Sequence, residues 1–214
     1  MSHSQKKSII ASRYRNLLPV VVDVETAGLN PETDALLEIA AVILKIDDQG
    51  KIVRDKTYAH HVEPFQGARI DQEALEITGI DPGYPLRFAI PEKQALHDIF
   101  TKIQQHIMEQ KCRRAVLVGH NAWFDLAFIK ASAKRSQLPF NPFHSFTTFD
   151  TATLAGVALG ETVLARAAKA SKISFNVNEA HSAIYDAERT ADLFCYIVNN
   201  KILSLNASSA KKSI

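Results

Sequence analysis

Five side chains stand out by type and spacing. Asp23 and Glu25 lie in VVVDVETAGLN (residues 20–30), Asp125 in GHNAWFDLAFI (119–129), and His181 and Asp186 in HSAIYDAERTADLF (181–194). Asp23 and Glu25 sit one residue apart in a β-branched apolar run, so an extended chain projects both carboxylates to one face. Two carboxylates a few ångströms apart repel, and one keeps its proton unless a cation compensates. Four carboxylates and one imidazole make an oxygen-rich donor set suited to Mg²⁺ or Mn²⁺. Two such ions, ~3.5–4 Å apart, can stabilise the attacking and leaving oxygens of a phosphodiester. A histidine titrating near neutrality can take the proton of the attacking water. The two cysteines, Cys112 and Cys195, form no Cys/His cluster of the kind zinc prefers.

Each residue also has a plainer explanation. A D-x-E pair marks a strand end emerging into solvent, Asp125 and Asp186 suit the first turns of helices, and His181 suits a surface loop. Trp123 and Phe124 suit a core, and His120 suits a satisfied core histidine. Only the five residues together point to chemistry.

The elements that must position them are legible. LPVVVDVE (18–25) is an expected strand, LLEIAAVILKID (36–47) a second, and KIVRDKTYAHHVEP (51–64) a third, joined as an antiparallel meander. A short helix is expected over 71–78 with Asp71 as its cap, and an amphipathic helix over 91–110 with Pro91 in its first turn. AVLVGH (115–120) is an expected buried strand, followed by a helix over 121–136 capped by Asn121. A last strand over 146–151 and helices over 161–171 and 182–203 complete the pattern. Strands followed by alternating helices and strands indicate an α/β class, a mixed sheet flanked by helices.

Composition sets the wider frame. The 214 residues are 46% apolar and 22% charged, with a net charge of +2. That is one domain's worth of ordinary globular chain, expected over residues 13–205, with a flexible basic segment over 1–12 and a flexible tail over 206–214. No apolar run approaches a membrane span, no secretory signal is evident, and the cysteine usage suits a reducing cytoplasm. Basic residues cluster at Lys6, Lys7, Arg13 and Arg15, at Lys111, Arg113 and Arg114, and at Lys130, Lys134 and Arg135. Each cluster is either a phosphate-binding patch or a solvated face.

The three quoted stretches resemble, in order, the three exonuclease motifs of the DEDD superfamily, histidine subtype. The tyrosine subtype carries Tyr four residues before the last Asp, where this chain has Ser182. NPFHSFTTFDTATLAG (141–156) and the basic segment before the first strand are similar to the ribonuclease T family within it, and the likeness covers roughly residues 12 to 200.

The resemblance implies a ribonuclease H-like sheet, a homodimer, and Mg²⁺-dependent 3′→5′ trimming of tRNA and rRNA precursors by two metals, with Mn²⁺ as a substitute. It implies that Asp23 bridges the metals, Glu25 and Asp186 complete one site, Asp125 serves the other, and His181 acts as general base within the metal and catalytic set. It further implies base contacts at Phe124, Phe146 and Glu73, and at Leu29 and Ile77, where the family commonly carries Phe. RNA-binding cations match at Arg13, Arg15 and Arg114. Met108 and Pro139 stand where the family often carries Lys, with Lys134 and Arg135 as replacements. A DNA 3′→5′ exonuclease of the proofreading type is the alternative, since chemistry on the phosphate ignores the sugar. A nucleic-acid-binding module without catalysis is disfavoured by the intact five positions.

Overall fold

Six strands form one sheet: β1 (Leu17–Thr26), β2 (Leu36–Ile46), β3 (Ile52–Glu63), β4 (Ile90–Pro91), β5 (Arg114–Gly119) and β6 (Phe143–Asp150), in the spatial order β4-β3-β2-β1-β5-β6. The computed structural model describes residues 8–202, with side chains described through Asn200. β1, β2 and β3 pair antiparallel as a meander, whereas β5 and β6 run parallel to β1 and β4 runs parallel to β3. The mixed sheet expected from the sequence is therefore present.

Among the described residues, seven α-helices accompany the strands: α1 (Ile9–Arg13), α2 (Gln72–Thr78), α3 (Glu92–Glu109), α4 (Trp123–Arg135), α5 (Thr151–Leu159), α6 (Leu164–Ala170) and α7 (Ala183–Ile197). Helices cover both faces of the central strand, which explains why β1 is apolar on both faces from Leu17 to Val22 rather than alternating. Leu18, Val20, Val22 and Val24 pack towards Leu96, Phe100 and Ile103 of α3 and Phe128 and Ile129 of α4. Val21 packs on the opposite face with Ala183, Ala187, Ala191 and Phe194 of α7. Phe100, Phe128 and Phe194 are fully buried, and each such side chain stabilises the fold by roughly 1.5–3 kcal/mol. The stripe of alanines on α7 lets that helix approach β1 closely.

Several boundaries differ from expectation. The N-terminal segment expected over 1–12 overlaps α1, where Ser8 caps the helix and Ile10 is fully buried in the core. Residues 1–7, with Lys6 and Lys7, and the expected tail over 206–214 lie outside the described residues. Asn121 does not cap α4: its backbone is left-handed at φ +67°, and the helix begins at Trp123. α5 is an addition to the expected elements. TATLAGVAL carries no polar–apolar periodicity, and the helix is started instead by Asp150, whose carboxylate accepts the Ala152 and Thr153 N–H groups. β4 is only two residues long, too short to leave a pattern.

Candidate active site

The site begins where two strands part. β1 pairs with β2 as far as Thr26, but its parallel pairing with β5 ends at Val21. Beyond that point a crevice opens at the carboxyl end of β1, the usual place for a ligand site in an α/β sheet. Asp125, in the first turn of α4, enters the crevice and accepts the Val24 N–H through Oδ1 at 3.2 Å. It is buried at 4% exposure. Gly119 makes this approach feasible, because a Cβ there would stand 2.8 Å from Asp125 Oδ2 and 3.0 Å from the Ala122 backbone.

Asp23 and Glu25 project from the Val21 face of β1, toward α7. Glu25, His181 and Asp186 each offer a ligand atom within 4.8 Å of the others. His181 reaches the cluster from a left-handed backbone position at φ +65°, and its N–H donates to Asp186 Oδ2 at 2.9 Å. The other oxygen, Asp186 Oδ1, is buried without a hydrogen-bond partner. Buried carboxylate oxygens are rarely left unsatisfied. An orphan oxygen facing other acids therefore fits a cation site.

Electrostatics point the same way. Burial, then Asp125, Glu25, Asp186 and Glu38, push the Asp23 carboxyl well above its ordinary range. Burial, then Asp186, Glu38 and Asp125, push Glu25 up to about 8. Burial pushes Asp125 up to about 8 against the backbone hydrogen bonds it accepts. Asp186 is raised by burial and partly offset by the His181 N–H and by the imidazoles of His181 and His120. Burial and mutual repulsion favour the protonated forms of these acids, and a divalent ion would relieve both.

A family model for exonucleases, RNase_T, matches residues 20–194. The chain belongs to the ribonuclease T family. It is 58% identical over 190 residues to Ribonuclease T of Marinobacter nauticus, covering 89% of this chain and 86% of the relative. It is 54% identical over 199 residues to Ribonuclease T of Salmonella typhimurium, covering 93% of each. Among solved structures, E. coli Exonuclease I in complex with a dT13 oligonucleotide superposes with a TM-score of 0.67 at 19% identity, over 90% of this chain and 43% of that longer one. A full-length 3′-exonuclease gives a TM-score of 0.67 at 15% identity over 93% of this chain and 64% of that one. These two likenesses show a shared fold, a ribonuclease H-like mixed sheet.

The five residues singled out in the sequence thus converge from three distant parts of the chain. The positions expected to contact bases are mostly exposed. Leu29, Ile77 and Phe146 are exposed at 83%, 65% and 79%. Phe124 is half-buried against Phe128, with exposed Trp123 edge-on to it. Glu73 is exposed in the first turn of α2. α2 is docked beside the Leu29 loop because the Asp71 N–H donates to Ala27 O at 2.8 Å. Gly28 in that loop makes room for Asp34, whose Oδ2 would stand 2.1 Å from an added Cβ.

The basic clusters divide. Arg113 N–H donates to Asn16 O at 2.7 Å, which brings the Arg13/Arg15 and Lys111/Arg113/Arg114 groups together at the amino end of β1. Lys130 and Lys134 line a groove of about 640 Å³ with Pro31, Pro139, Phe140 and Asn141. Arg135 is not a surface cation: it is paired with Glu92, which is 6% exposed, donates to Pro31 O at 2.7 Å and lies 4.2 Å over the Phe65 ring. It therefore does not stand in for the lysine positions.

The supports of the site left little signal in the sequence. His120 is structural: its Nδ1 meets Thr151 Oγ1 at 3.0 Å and its Nε2 meets Thr162 O at 2.8 Å. Asp150 accepts the Ala122 N–H at 3.2 Å while capping α5, so it anchors the start of α4. Glu38 lies directly opposite Glu25 in the β1–β2 register. That pairing follows from strand register, which a meander prediction leaves undetermined.

Proposed function

We propose that this protein is a divalent-metal-dependent 3′→5′ exoribonuclease that trims the 3′ ends of tRNA and rRNA precursors. The observation that carries this reading is the meeting of Glu25, His181 and Asp186 around an orphan buried oxygen. Asp23 and Asp125 stand beside them at the parting of β1 and β5. The likeness to proteins named Ribonuclease T, over about nine-tenths of the chain, directs the reading to RNA.

Asp23, Glu25 and Asp186 would hold one Mg²⁺ and Asp23 and Asp125 a second, Mn²⁺ substituting, which when bound polarise the phosphate and the attacking water. His181, exposed at the mouth of the cluster, accepts the proton from that water as general base. Water attacks the terminal phosphodiester in line, the bond from phosphorus to the 3′ oxygen breaks, that oxygen takes a proton from solvent to leave a new RNA 3′-OH, and a nucleoside 5′-monophosphate is released. Phe124 and Phe146 offer stacking faces to the last bases, each such stack contributing roughly 1–3 kcal/mol. Leu29 and Ile77 offer apolar contact, and Glu73 a hydrogen-bond acceptor.

The joined patch of Arg13, Arg15 and Arg114 lies at the other end of β1. Leu17 and Glu25 are eight residues apart, about 26 Å along a strand. Such a patch serves a catalytic centre best when a second subunit supplies that centre, which supports a homodimer. Two free cysteines, one of them buried, suit a cytoplasmic setting. Among the described residues no helix is long and apolar enough to cross a membrane.

The test is a time course on 3′-tailed tRNA with Mg²⁺, read at single-nucleotide resolution beside a matched DNA. Stepwise loss from the RNA 3′ end is expected. Much faster loss from the DNA would move the assignment to the proofreading type.

A further inference from the structure

The geometry points to Glu38 as a positioning residue for the junction that carries His181 and Asp186. This inference rests on the reading of those two residues as catalytic.

Glu38 faces the same side of the sheet as Glu25, its register partner, and its side chain is largely buried at 13% exposure. A carboxylate on this face adds repulsion, and Glu38 is among the charges that raise both Asp23 and Glu25. Some compensating interaction must keep it there. Its two oxygens are both engaged, and neither joins the Glu25–His181–Asp186 cluster. Oε1 takes the His61 Nδ1 at 2.8 Å. Oε2 takes the Ala183 N–H at 3.2 Å, across 145 residues of sequence.

Ala183 is the first residue of α7. The position before it, Ser182, is extended and makes no side-chain cap. The first N–H groups of a helix have no partner within the helix. Glu38 therefore caps α7 from a neighbouring strand, and its negative charge faces the positive end of the helix dipole. The same turn is closed on its other side by Asp186, which accepts the His181 N–H at 2.9 Å and donates its own N–H to Ser182 O at 2.9 Å. His181 is held in a left-handed conformation that a residue with a side chain rarely adopts. Glu38 ties this junction to the β1–β2 pair that presents Glu25, so one strand pair aligns both halves of the site.

The test crosses reach with charge. Glu38→Gln keeps the length and the acceptor but loses the charge. Glu38→Asp keeps the charge but is one methylene too short for the Ala183 N–H. Turnover at saturating Mg²⁺ should fall about 10–100-fold in the Asp variant, as when the supports of metal ligands are removed. It should stay within about threefold of wild type in the Gln variant. Hydrogen exchange on metal-free protein should show amides 181–186 opening roughly fivefold faster in the Asp variant, the scale of a missing cap. Melting curves establish that both variants fold. A Gln variant as impaired as the Asp variant, with a raised Mg²⁺ requirement, would make Glu38 a metal ligand and overturn the proposal. So would wild-type exchange at 181–186 in the Asp variant. The exchange arm needs no RNA, so failure of the exoribonuclease reading would show separately, as wild-type protein that does not trim.

Discussion

The two ends of β1 differ in almost every physical respect. At its carboxyl end, Asp23, Glu25, Asp125 and Asp186 crowd into a crevice, largely buried, with their charges opposed to one another. At its amino end, Arg15, Arg113 and Arg114 are exposed to solvent, and each costs the fold little. The contrast teaches that chemistry needs concentrated, desolvated charge held by packing, whereas binding a phosphate backbone needs only dispersed charge in reach of solvent. The acid end is therefore expected to be intolerant of single changes, and the basic end to be additive and forgiving.

The sharpest break should come at the acid end. Asp23→Asn should lower turnover by on the order of 10³-fold or more, because it removes one member of a set acting as a unit. RNA affinity, measured separately, should stay near wild type. His181→Ala should cost about 10²–10⁴-fold at saturating Mg²⁺, the range for a general base. If that variant instead recovers full rate once more Mg²⁺ is supplied, His181 is only a ligand.

A smaller effect is expected at the basic end. Arg13→Ala combined with Arg114→Ala should raise KM about tenfold while leaving kcat unchanged. The slope of log affinity against log salt should fall by about 0.7 for each phosphate that the protein no longer neutralises. A change confined to kcat would mean that these arginines reach the chemistry, and the contrast between the ends would dissolve.

The smallest effect is thermodynamic. Glu25 and Asp125 are raised to about 8 in the folded chain. The unfolded chain releases these protons near pH 4–4.5 while the folded chain keeps them, taking about 3.9 and 4.3 as the ordinary Asp and Glu values. Stability is thus fully present below that range and is lost as pH rises through about 8. The metal-free melting temperature should fall as the pH rises from 5 to 8. Mg²⁺ or Mn²⁺ should restore more of it at pH 8 than at pH 5, with release of protons. A flat metal-free profile would show that the acids are hydrated rather than buried together.

Much of this is readable in the sequence, and particular residues show why. Val20, Val21, Val22 and Val24 announce a strand covered on both faces, and Asp71 announces the cap of α2. The five site residues are legible because their types and order carry the chemistry. α5 escapes because its small side chains leave no period and its cap, Asp150, lies at the end of the preceding strand. Arg135 reads as a surface cation because its partner, Glu92, is 43 residues away. Gly28 makes room for Asp34, a fit that no local pattern announces. Trp123, open to a core reading, is exposed at 68%.

By itself the sequence determined which side chains are available for chemistry and which segments become strands and helices, because hydrophobic period and residue type are local properties. Only the tertiary structure decided that β1 and β5 part at Val21, that Asp125 enters the gap, and that an alanine stripe brings Asp186 to Glu25. It also decided that Glu38, opposite Glu25, caps the helix carrying Asp186. These outcomes depend on strand register and on helix packing between residues far apart in the chain, 101 positions for Val24 and Asp125 and 145 for Glu38 and Ala183. No local pattern encodes them.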